Sequence, residues 1–270
     1  GYTSCRYQIY IYRVRSFRRG ENIQMYILAL ESTGPHASVA LTDENGNIEE
    51  IVNPGRLNHL ETMIPMVDQL IKKCGLRLSD VTAVAASRGP GSFTGIRIGV
   101  TTARTLAQAL GIETIGVPTL NAFCYNQRDF DGLICPVFDA RRNQVYTGIY
   151  EFRGNPMEVL EPQMAVDIEV IAEKLCERQQ DVIFLGDGVP VFKDKLCNGL
   201  MDKLHDCGKE FYFAPAHVNK QRAGAVGALA LRYLEEGKTE TAEEHQPEYL
   251  RMAQAERERA EKLAKGEGTC

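Results

Sequence analysis

The sequence contains no long hydrophobic segment and no paired cysteines. None of its apolar runs approaches the ~20 residues that a membrane-spanning helix needs, and residues 7–12 are too short and too polar for a secretory signal. Eight cysteines are scattered along the chain without a Cys-x-x-Cys pair or a Cys/His cluster, a pattern that disfavours a zinc site. We therefore expect a cytoplasmic protein with reduced thiols, no metal site and no membrane contact.

Positive charge is also scarce, except at the N-terminus. The formal net charge is −5. Residues 1–24 hold five arginines and one glutamate, so the remaining chain has 26 basic against 35 acidic residues. An acidic body is unfavourable for a large phosphate-binding face. We therefore expect any contact with nucleic acid to be made indirectly, through a partner.

A glycine-rich stretch between a short apolar strand and a helix is the most informative feature present. Residues 81–86 are predicted to form a buried strand, and apolar residues at helical spacing predict a helix from Ile96 to Leu110. The loop between them could direct free backbone N–H groups and a positive helix end toward an anion. We also expect a positive φ at Gly95, where the loop meets the helix. The candidate anion-binding residues are Arg88, Gly89, Gly91, Ser92, Thr94 and Gly95.

This loop does not match the common phosphate-binding motifs. It lacks the Lys-Ser or Lys-Thr ending of a P-loop, and it lacks the Gly-x-Gly-x-x-Gly spacing of a dinucleotide-binding turn. A tight turn that lets the helix pack closely on the sheet explains the glycines equally well. The sequence leaves both interpretations open.

The chain divides into two halves with one order of elements. The pattern β-β-β-α-β-α-β is predicted over residues 25–125 and again over residues 126–251, where the third strand is short, at 157–160. Two α/β halves of one topology, each with a mixed sheet, suggest the duplicated ribonuclease-H-like fold of actin, heat-shock chaperone ATPases and sugar kinases. A basic extension, 1–24, precedes the halves and a charged tail, 252–270, follows them; both are expected outside the fold.

The segment from Ser87 to Gly99 resembles the signature loop of the TsaB (YeaZ) family. Four further stretches are similar to that family and occur in its order, so that the resemblance covers residues 25 to about 251. They are Ile27-Leu28-Ala29-Leu30-Glu31-Ser32-Thr33, Asn58-His59-Leu60-Glu61, Phe138-Asp139-Ala140-Arg141-Arg142 and Pro247-Glu248-Tyr249-Leu250-Arg251.

The resemblance implies a non-catalytic scaffold subunit. It implies pairing with a catalytic paralogue, TsaD, and association with an ATPase subunit, TsaE. The complex would form N6-threonylcarbamoyladenosine at position 37 of tRNAs that read ANN codons, with tRNA contacted only indirectly. The pairing would be a heterodimer, a homodimer or both.

A stripe of small residues on the predicted helix is the candidate pairing surface. Gly99, Ala103 and Ala107 lie four residues apart, which would let a second helix approach closely. Tight internal packing explains the same spacing. The candidate interface residues are Arg97, Gly99, Ala103, Arg104, Ala107, His59 and Met63.

The magnesium- and phosphate-binding residues of the duplicated fold are incomplete in this sequence. The first strand of each half ends in Glu31-Ser32-Thr33 and in Asp139-Ala140-Arg141, where the fold usually has Asp followed by Gly, Ser or Thr. The glutamate is one methylene too long, and the second turn lacks a glycine. The candidate degenerate nucleotide cleft comprises Glu31, Ser32, Thr33, Asp139 and Arg141. We expect no intrinsic cofactor, with ATP or ADP at a subunit boundary left open.

An actin-fold ATPase or kinase and a metal-dependent glycopeptidase are the two alternative functions. Phosphoryl transfer needs a metal and positioning groups together, and this sequence has only part of that set. The paralogue's His-x-x-x-His motif is reduced here to His59, since Met63 occupies the second position. We therefore expect no catalytic residues and no turnover by the isolated chain.

Removal of residues 1–24 is expected to leave the fold intact, because the duplicated pattern begins at Met25. Thermal melts of the full and shortened chains should agree. A fall in melting temperature of more than about 4 °C, which corresponds to roughly 1 kcal/mol, would show that the extension is part of the core.

Overall fold

Two five-stranded mixed sheets, each covered by helices, form the framework of the protein. The predicted basic extension, apart from residue 24, and the predicted charged tail lie outside the described residues. Within the described part of the chain no helix is long and apolar enough to cross a membrane. The computed structural model describes residues 24–53, 58–154, 157–178, 180–205 and 208–250.

The first sheet has the strand order β3-β2-β1-β4-β5. Its first three strands are antiparallel neighbours, whereas β4 runs parallel to β1 and β5 runs parallel to β4. The elements are β1 (Tyr26–Glu31), β2 (Ser38–Asp43), β3 (Ile48–Val52), α1 (His59–Lys73), β4 (Ala83–Ser87), α2 (Phe93–Leu110), β5 (Glu113–Val117) and α3 (Thr119–Cys124).

The second sheet repeats this topology with the order β10-β9-β6-β7-β8. The predicted fold class, with β-β-β-α-β-α-β order in both halves, is therefore confirmed. The elements are β6 (Leu133–Asp139), β7 (Gln144–Phe152), β8 (Met157–Asp167), α4 (Ile168–Arg178), β9 (Val182–Leu185), α5 (Val189–His205), β10 (Phe211–Phe213) and α6 (Ala223–Glu235).

Strand β8 is much longer than predicted. It has 11 residues rather than the short segment 157–160. Pro162 lies inside it, and proline normally interrupts a strand because it has no N–H to donate. Here β8 is an edge strand, and its register with β7 shifts between the pairs Ile149–Glu161 and Thr147–Met164. An edge position and a register shift both accommodate proline.

Helix α2 starts three residues before the predicted position. Ser92 is its N-cap, and the Ser92 hydroxyl accepts a hydrogen bond from the backbone N–H of Gly95 at 3.3 Å. The helix ends where predicted, at Gly111, whose φ of 65° is left-handed. The prediction began the helix at its first apolar residue and overlooked the serine cap.

Alternate residues of β1 face two different helix layers. Leu28 and Leu30 pack in one core with α1 and α2, whereas Ile27 and Ala29 pack in another with α6. Although α6 follows the second sheet in sequence, it packs on the first. The predicted second half, residues 126–251, thus contributes a helix to the first sheet.

Helix α3 makes the opposite exchange. It follows the first sheet in sequence, and its residues Leu120 and Phe123 pack with Ile134 and Tyr150 of the second sheet. It also contacts α6. The two helices therefore lie where the halves meet, which joins the sheets through one continuous packed region.

The loop requires glycine for two different reasons: a positive φ at some positions and close packing at another. The prediction of a positive φ at Gly95 is wrong, because Gly95 lies in the first turn of α2; the positive values are 119° at Gly89 and 155° at Gly91. Gly95 is instead required by packing, since a Cβ atom there would overlap the carbonyl oxygen of Ser32. Helix α2 thus approaches the end of β1 at backbone distance.

Gly95→Ala is expected to destabilise the protein by ~2 kcal/mol or more, because the new methyl group has no space. Gly224→Ala is the matched control, since Gly224 also lies in a first helical turn and its Cβ would make only ordinary contacts. The control should lie within ~1 kcal/mol of the wild type. Equal urea midpoints for the two variants would contradict the close approach.

Candidate functional site

A cleft of about 950 Å³ opens between the two sheets. One wall is formed by the turn after β1 and the first turn of α2. The other wall is formed by the turn between β6 and β7 and by Asp187, in the turn before α5. Lining residues from the two sides include Gly34, His59, Ser92, Asp139, Arg141 and Tyr249.

The carboxylate of Glu31 lies beneath the cleft rather than in it. Its Oε1 atom accepts hydrogen bonds from the Thr33 backbone N–H at 2.6 Å and the Thr33 hydroxyl at 2.5 Å. Its Oε2 atom accepts a short hydrogen bond from the Ser87 hydroxyl. Glu31 is only 1% exposed. This carboxylate therefore joins the ends of β1 and β4, and its acceptor atoms are used within the chain.

Burial changes the acidity of Glu31. Removal from water disfavours the charged form and raises the pKa of the Glu31 carboxyl above its ordinary value. The hydrogen bonds from Ser87 and Thr33 act in the opposite direction and offset only part of this shift. The group is thus held in a site that favours its protonated form more than water does.

The other residues of the turn after β1 also contact the interior of the chain. The Ser32 hydroxyl donates to the carbonyl oxygen of Gly95 at 2.8 Å, and Ser32 is 1% exposed. The backbone N–H of Ser92 donates to the carbonyl oxygen of Thr33 at 2.8 Å. Thr33 lines the cleft, whereas Glu31 and Ser32 do not. The turn is consequently a support for the glycine loop.

The second turn presents an acidic residue that is paired within the chain. Asp139 accepts a hydrogen bond from the backbone N–H of Arg141 at 2.8 Å, and the two side chains are 3.3 Å apart. Arg141, Arg142 and Asn143 have φ values of 65°, 55° and 62°, which are uncommon for residues other than glycine. Ala140 occupies the position after Asp139 where the fold usually has Gly, Ser or Thr, and the three residues that follow adopt left-handed φ values at a cost in backbone strain.

Asp187 is a cleft residue that the sequence analysis missed. Its carboxylate accepts a hydrogen bond from the backbone N–H of Asp139 at 3.4 Å. Loss of hydration in the cleft, with the negative charge of Asp139 nearby, raises the pKa of Asp187. The motif Gly186-Asp187-Gly188 follows β9 as the glycine loop follows β4, and this correspondence could have identified it.

The cleft does not fit a magnesium–nucleotide group held by this chain alone. Glu31 accepts three hydrogen bonds from its own chain, and Asp139 is ion-paired with Arg141. Among the described residues, no three His, Cys, Asp or Glu side chains are grouped closely enough to hold a metal ion. The predicted set for a degenerate nucleotide cleft is therefore divided: Thr33, Asp139 and Arg141 line the cleft, and Glu31 and Ser32 lie below it.

Arg88 is not available as an anion ligand in the cleft, contrary to our prediction. Its guanidinium lies 3.0 Å from a carboxylate oxygen of Glu240 and 3.6 Å from one of Glu248. Two carboxylates already neutralise it. Gly89 is also not a lining residue, because it packs against the backbone of Glu248. The remaining loop candidates, Gly91, Ser92, Thr94 and Gly95, do line the cleft.

Most of the predicted interface residues are buried inside the chain. Ala103 and Ala107 are wholly buried in the core beneath α1 and α2, and Met63 joins them at 1% exposure. Gly99 packs against the side chain of Ser32. The small residues thus let α2 pack closely on its own sheet, so their predicted contact with a partner is wrong.

The other predicted interface residues lie nearer the surface. Arg97 is exposed and Arg104 is partly exposed. His59 is 7% exposed, and its Nε2 atom lies 3.0 Å from the carbonyl oxygen of Gly34. His59 therefore supports the turn after β1 and lines the cleft.

An exposed apolar pair on α1 was not predicted. Leu60 is 76% exposed and Ile64 is 51% exposed. The two residues are one helical turn apart, so they lie on the same face of the helix. Both positions lie in a run of apolar residues that also contains the buried Met63 and Val67. Only their placement outside the buried stripe distinguishes them as a surface patch.

Glu31 at the end of β1 is buried, and Asp139 at the end of β6 is ion-paired within the chain. Together with the duplicated fold, these two features define a class: proteins of the actin and sugar-kinase type whose phosphate-binding residues are incomplete. The family model described as TsaD: tRNA N6-adenosine threonylcarbamoyltransferase matches residues 53–259. The Bacillus subtilis tRNA threonylcarbamoyladenosine biosynthesis protein TsaB is 35% identical to this chain over 86% of this chain and 96% of the relative. The Escherichia coli protein of the same name is 28% identical, over 84% and 95% of the two chains.

A solved structure shows the same fold. YeaZ from Pseudomonas aeruginosa superimposes with a TM-score of 0.68 at 24% identity, over 84% of this chain and all of that one. The predicted resemblance is confirmed, and the chain belongs to the TsaB (YeaZ) family.

Glu31→Gln is expected to change stability in a pH-dependent way. The raised pKa means that the native state binds a proton more tightly than the unfolded chain does. The associated stability is fully present below the pKa of the unfolded chain and is lost as pH rises through the folded-state pKa. Wild type should therefore gain relative to the variant as pH falls from about 8 to about 5. A constant difference in urea midpoints would contradict the buried-acid interpretation.

Proposed function

We propose that this chain is a non-catalytic scaffold subunit that pairs with a TsaD-type paralogue in the formation of N6-threonylcarbamoyladenosine at position 37 of tRNAs reading ANN codons. The observation that carries the proposal is that the Glu31 carboxylate is buried and hydrogen-bonded to Thr33 and Ser87. It joins two strand ends instead of facing the cleft. The names of the relatives support the pathway. The buried, hydrogen-bonded state of Glu31 and the ion pair of Asp139 with Arg141 support the non-catalytic role.

The exposed apolar pair on α1 is the basis of the proposed pairing. Leu60 and Ile64 leave a hydrophobic surface in water unless another molecule covers it. Arg97 of α2 is also exposed, and α1 and α2 lie side by side. We therefore place the docking face on the outer sides of these two helices. The same face would pair two copies of the chain when the paralogue is absent.

Charge and the cleft define the other parts of the proposal. The acidic body of the chain leaves direct tRNA contact to the partner. Glu31 is hydrogen-bonded to Thr33 and Asp139 is ion-paired with Arg141, so neither carboxylate is free to bind a magnesium–nucleotide. ATP or ADP would therefore bind at the boundary with a neighbouring subunit, where the TsaE-type ATPase would act. We place the complex in the cytoplasm.

Ile64→Arg tests the docking face. The change puts a charge at the centre of the proposed apolar contact and should weaken pairing with the paralogue by about 100-fold, with a similar loss of tRNA modification in the reconstituted complex. Folding should be unaffected, because the side chain is 51% exposed in the free chain. Light scattering after size exclusion would measure pairing, and circular dichroism would check folding.

Two controls make the result interpretable. Val170→Arg makes the same change at a 40% exposed position on α4, away from the docking face, and should leave pairing intact. Ala103→Arg places a charge in the core and should give unfolded or insoluble protein. A folded Ile64→Arg variant that pairs normally and supports modification would show that the docking face lies elsewhere.

A further inference from the structure

The segment after α6 crosses the edge of the first sheet. We name residues 238–250 the C-terminal strap. Glu240 pairs with Thr114 of β5 through two backbone hydrogen bonds of 2.9 Å. His245 is wholly buried, and its Nδ1 atom lies 3.4 Å from the Glu240 carboxylate that also accepts from Arg88. The first part of the strap is therefore fixed to the sheet.

The end of the strap is held differently. We name residues 247–250 the lip. The backbone N–H of Glu248 donates to the carbonyl oxygen of Arg88 at 2.6 Å. The Glu248 carboxylate lies 3.6 Å from the Arg88 guanidinium and accepts a hydrogen bond from the Gln163 side-chain amide at 2.8 Å. Since Arg88 follows β4 and Gln163 belongs to β8, this one carboxylate connects the two sheets.

The next residue of the lip rests on α2. The ring of Tyr249 stacks on Phe93 with centroids 4.7 Å apart. Its hydroxyl accepts a hydrogen bond from Arg97 at 3.0 Å, and the Arg97 guanidinium lies 4.2 Å from the centre of the Phe93 ring. Tyr249 remains 39% exposed. Residues 248, 249 and 250 line the cleft, so the lip forms part of its rim.

We propose that the lip is a lid on the cleft, hinged at the buried part of the strap and latched by Glu248. The hinge side is secured by a buried histidine and by paired backbone. The latch side consists of one backbone hydrogen bond, from Glu248 to Arg88, and of side-chain contacts that are partly open to water. Such contacts break in local openings that leave the core folded. Opening separates Tyr249 from Phe93 and widens the approach to the first turn of α2. This device depends on no partner, so it stands or fails independently of the proposed function.

A single tryptophan at the lip reports its position. The chain contains no tryptophan, so Tyr249→Trp gives one fluorophore stacked on Phe93. Acrylamide quenching of this variant measures how open the lip is. Adding Glu248→Ala should raise the quenching constant by about twofold or more, because the latch is removed. Adding Gln163→Ala, which removes the contact from the opposite sheet, should raise it in the same direction.

Glu243→Ala in the same background is the matched control. Glu243 is an exposed acidic residue of the same strap, and its side chain makes no hydrogen bond or ion pair with the described residues. Quenching should remain unchanged. Equal quenching for the Glu248→Ala, Gln163→Ala and control proteins would overturn the latch.

Amide hydrogen exchange of the native chain carrying Glu248→Ala alone provides a measurement that needs no tryptophan. We expect the backbone amide at position 248 to exchange at least about tenfold faster in this variant than in the wild type, after correction for the intrinsic rates of the two residues. Exchange at Glu240 and Thr114 should stay slow, because the hinge side remains paired. Equally accelerated exchange at these two amides would mean that the whole strap detaches, and the hinged lid would be wrong. Unchanged exchange of the amide at position 248 would contradict the latch.

Discussion

The buried carboxylate of Glu31 connects the ends of two strands, β1 and β4, that are 56 residues apart in the sequence. It accepts hydrogen bonds from Thr33 in its own turn and from Ser87 at the end of β4. The same turn receives the first residues of α2, through the contacts of Ser32 with Gly95. An unpaired carboxylate in this position would be strongly destabilising, so the neighbouring hydroxyl groups and the carboxylate require one another. The consequence for function is that the acid is unavailable to the cleft.

The signature loop is mainly a structural junction. Ser87 holds Glu31, Arg88 holds the C-terminal strap, and Gly89 allows the strap backbone to approach. The later part of the segment, from Pro90 to Ile96, borders the cleft. Two motifs more than a hundred residues apart, the loop and Pro247-Glu248-Tyr249-Leu250, therefore form one rim. Their occurrence together follows from this contact.

Internal packing of the small residues on α2 is the reason that the proposed docking face lies elsewhere. Gly99, Ala103 and Ala107 allow α2 to lie close to its own sheet, which buries them completely. A close helix approach needs small residues whether the neighbour is internal or external. The exposed pair Leu60 and Ile64 has the opposite character, because large apolar groups in water lower the free energy of association when covered. The proposed scaffold role therefore rests on α1 more than on the small-residue stripe.

Local patterns in the sequence were sufficient for the class of fold. Alternating and helical periodicities located nearly all strands and helices, because each period follows from which face of an element is buried. The glycine loop and its neighbours indicated the family. Two elements were exceptions. Helix α3 was not predicted, and strand β8 is longer than predicted, since an edge position that tolerates Pro162 is a property of the sheet and not of the segment.

The direction of each site side chain was decided only by the tertiary structure. Glu31, Arg88 and Ala103 were assigned to a cleft, an anion and a partner, and each is instead satisfied by residues 56 or more positions away or by the core. Such pairings depend on how two sheets and their exchanged helices, α3 and α6, are brought together. Sequence periodicity indicates which face of an element is buried, but it does not indicate which distant residue contacts that face. For that physical reason the sequence determined the fold and the family, and only the folded chain showed that its most conspicuous charged residues are structural.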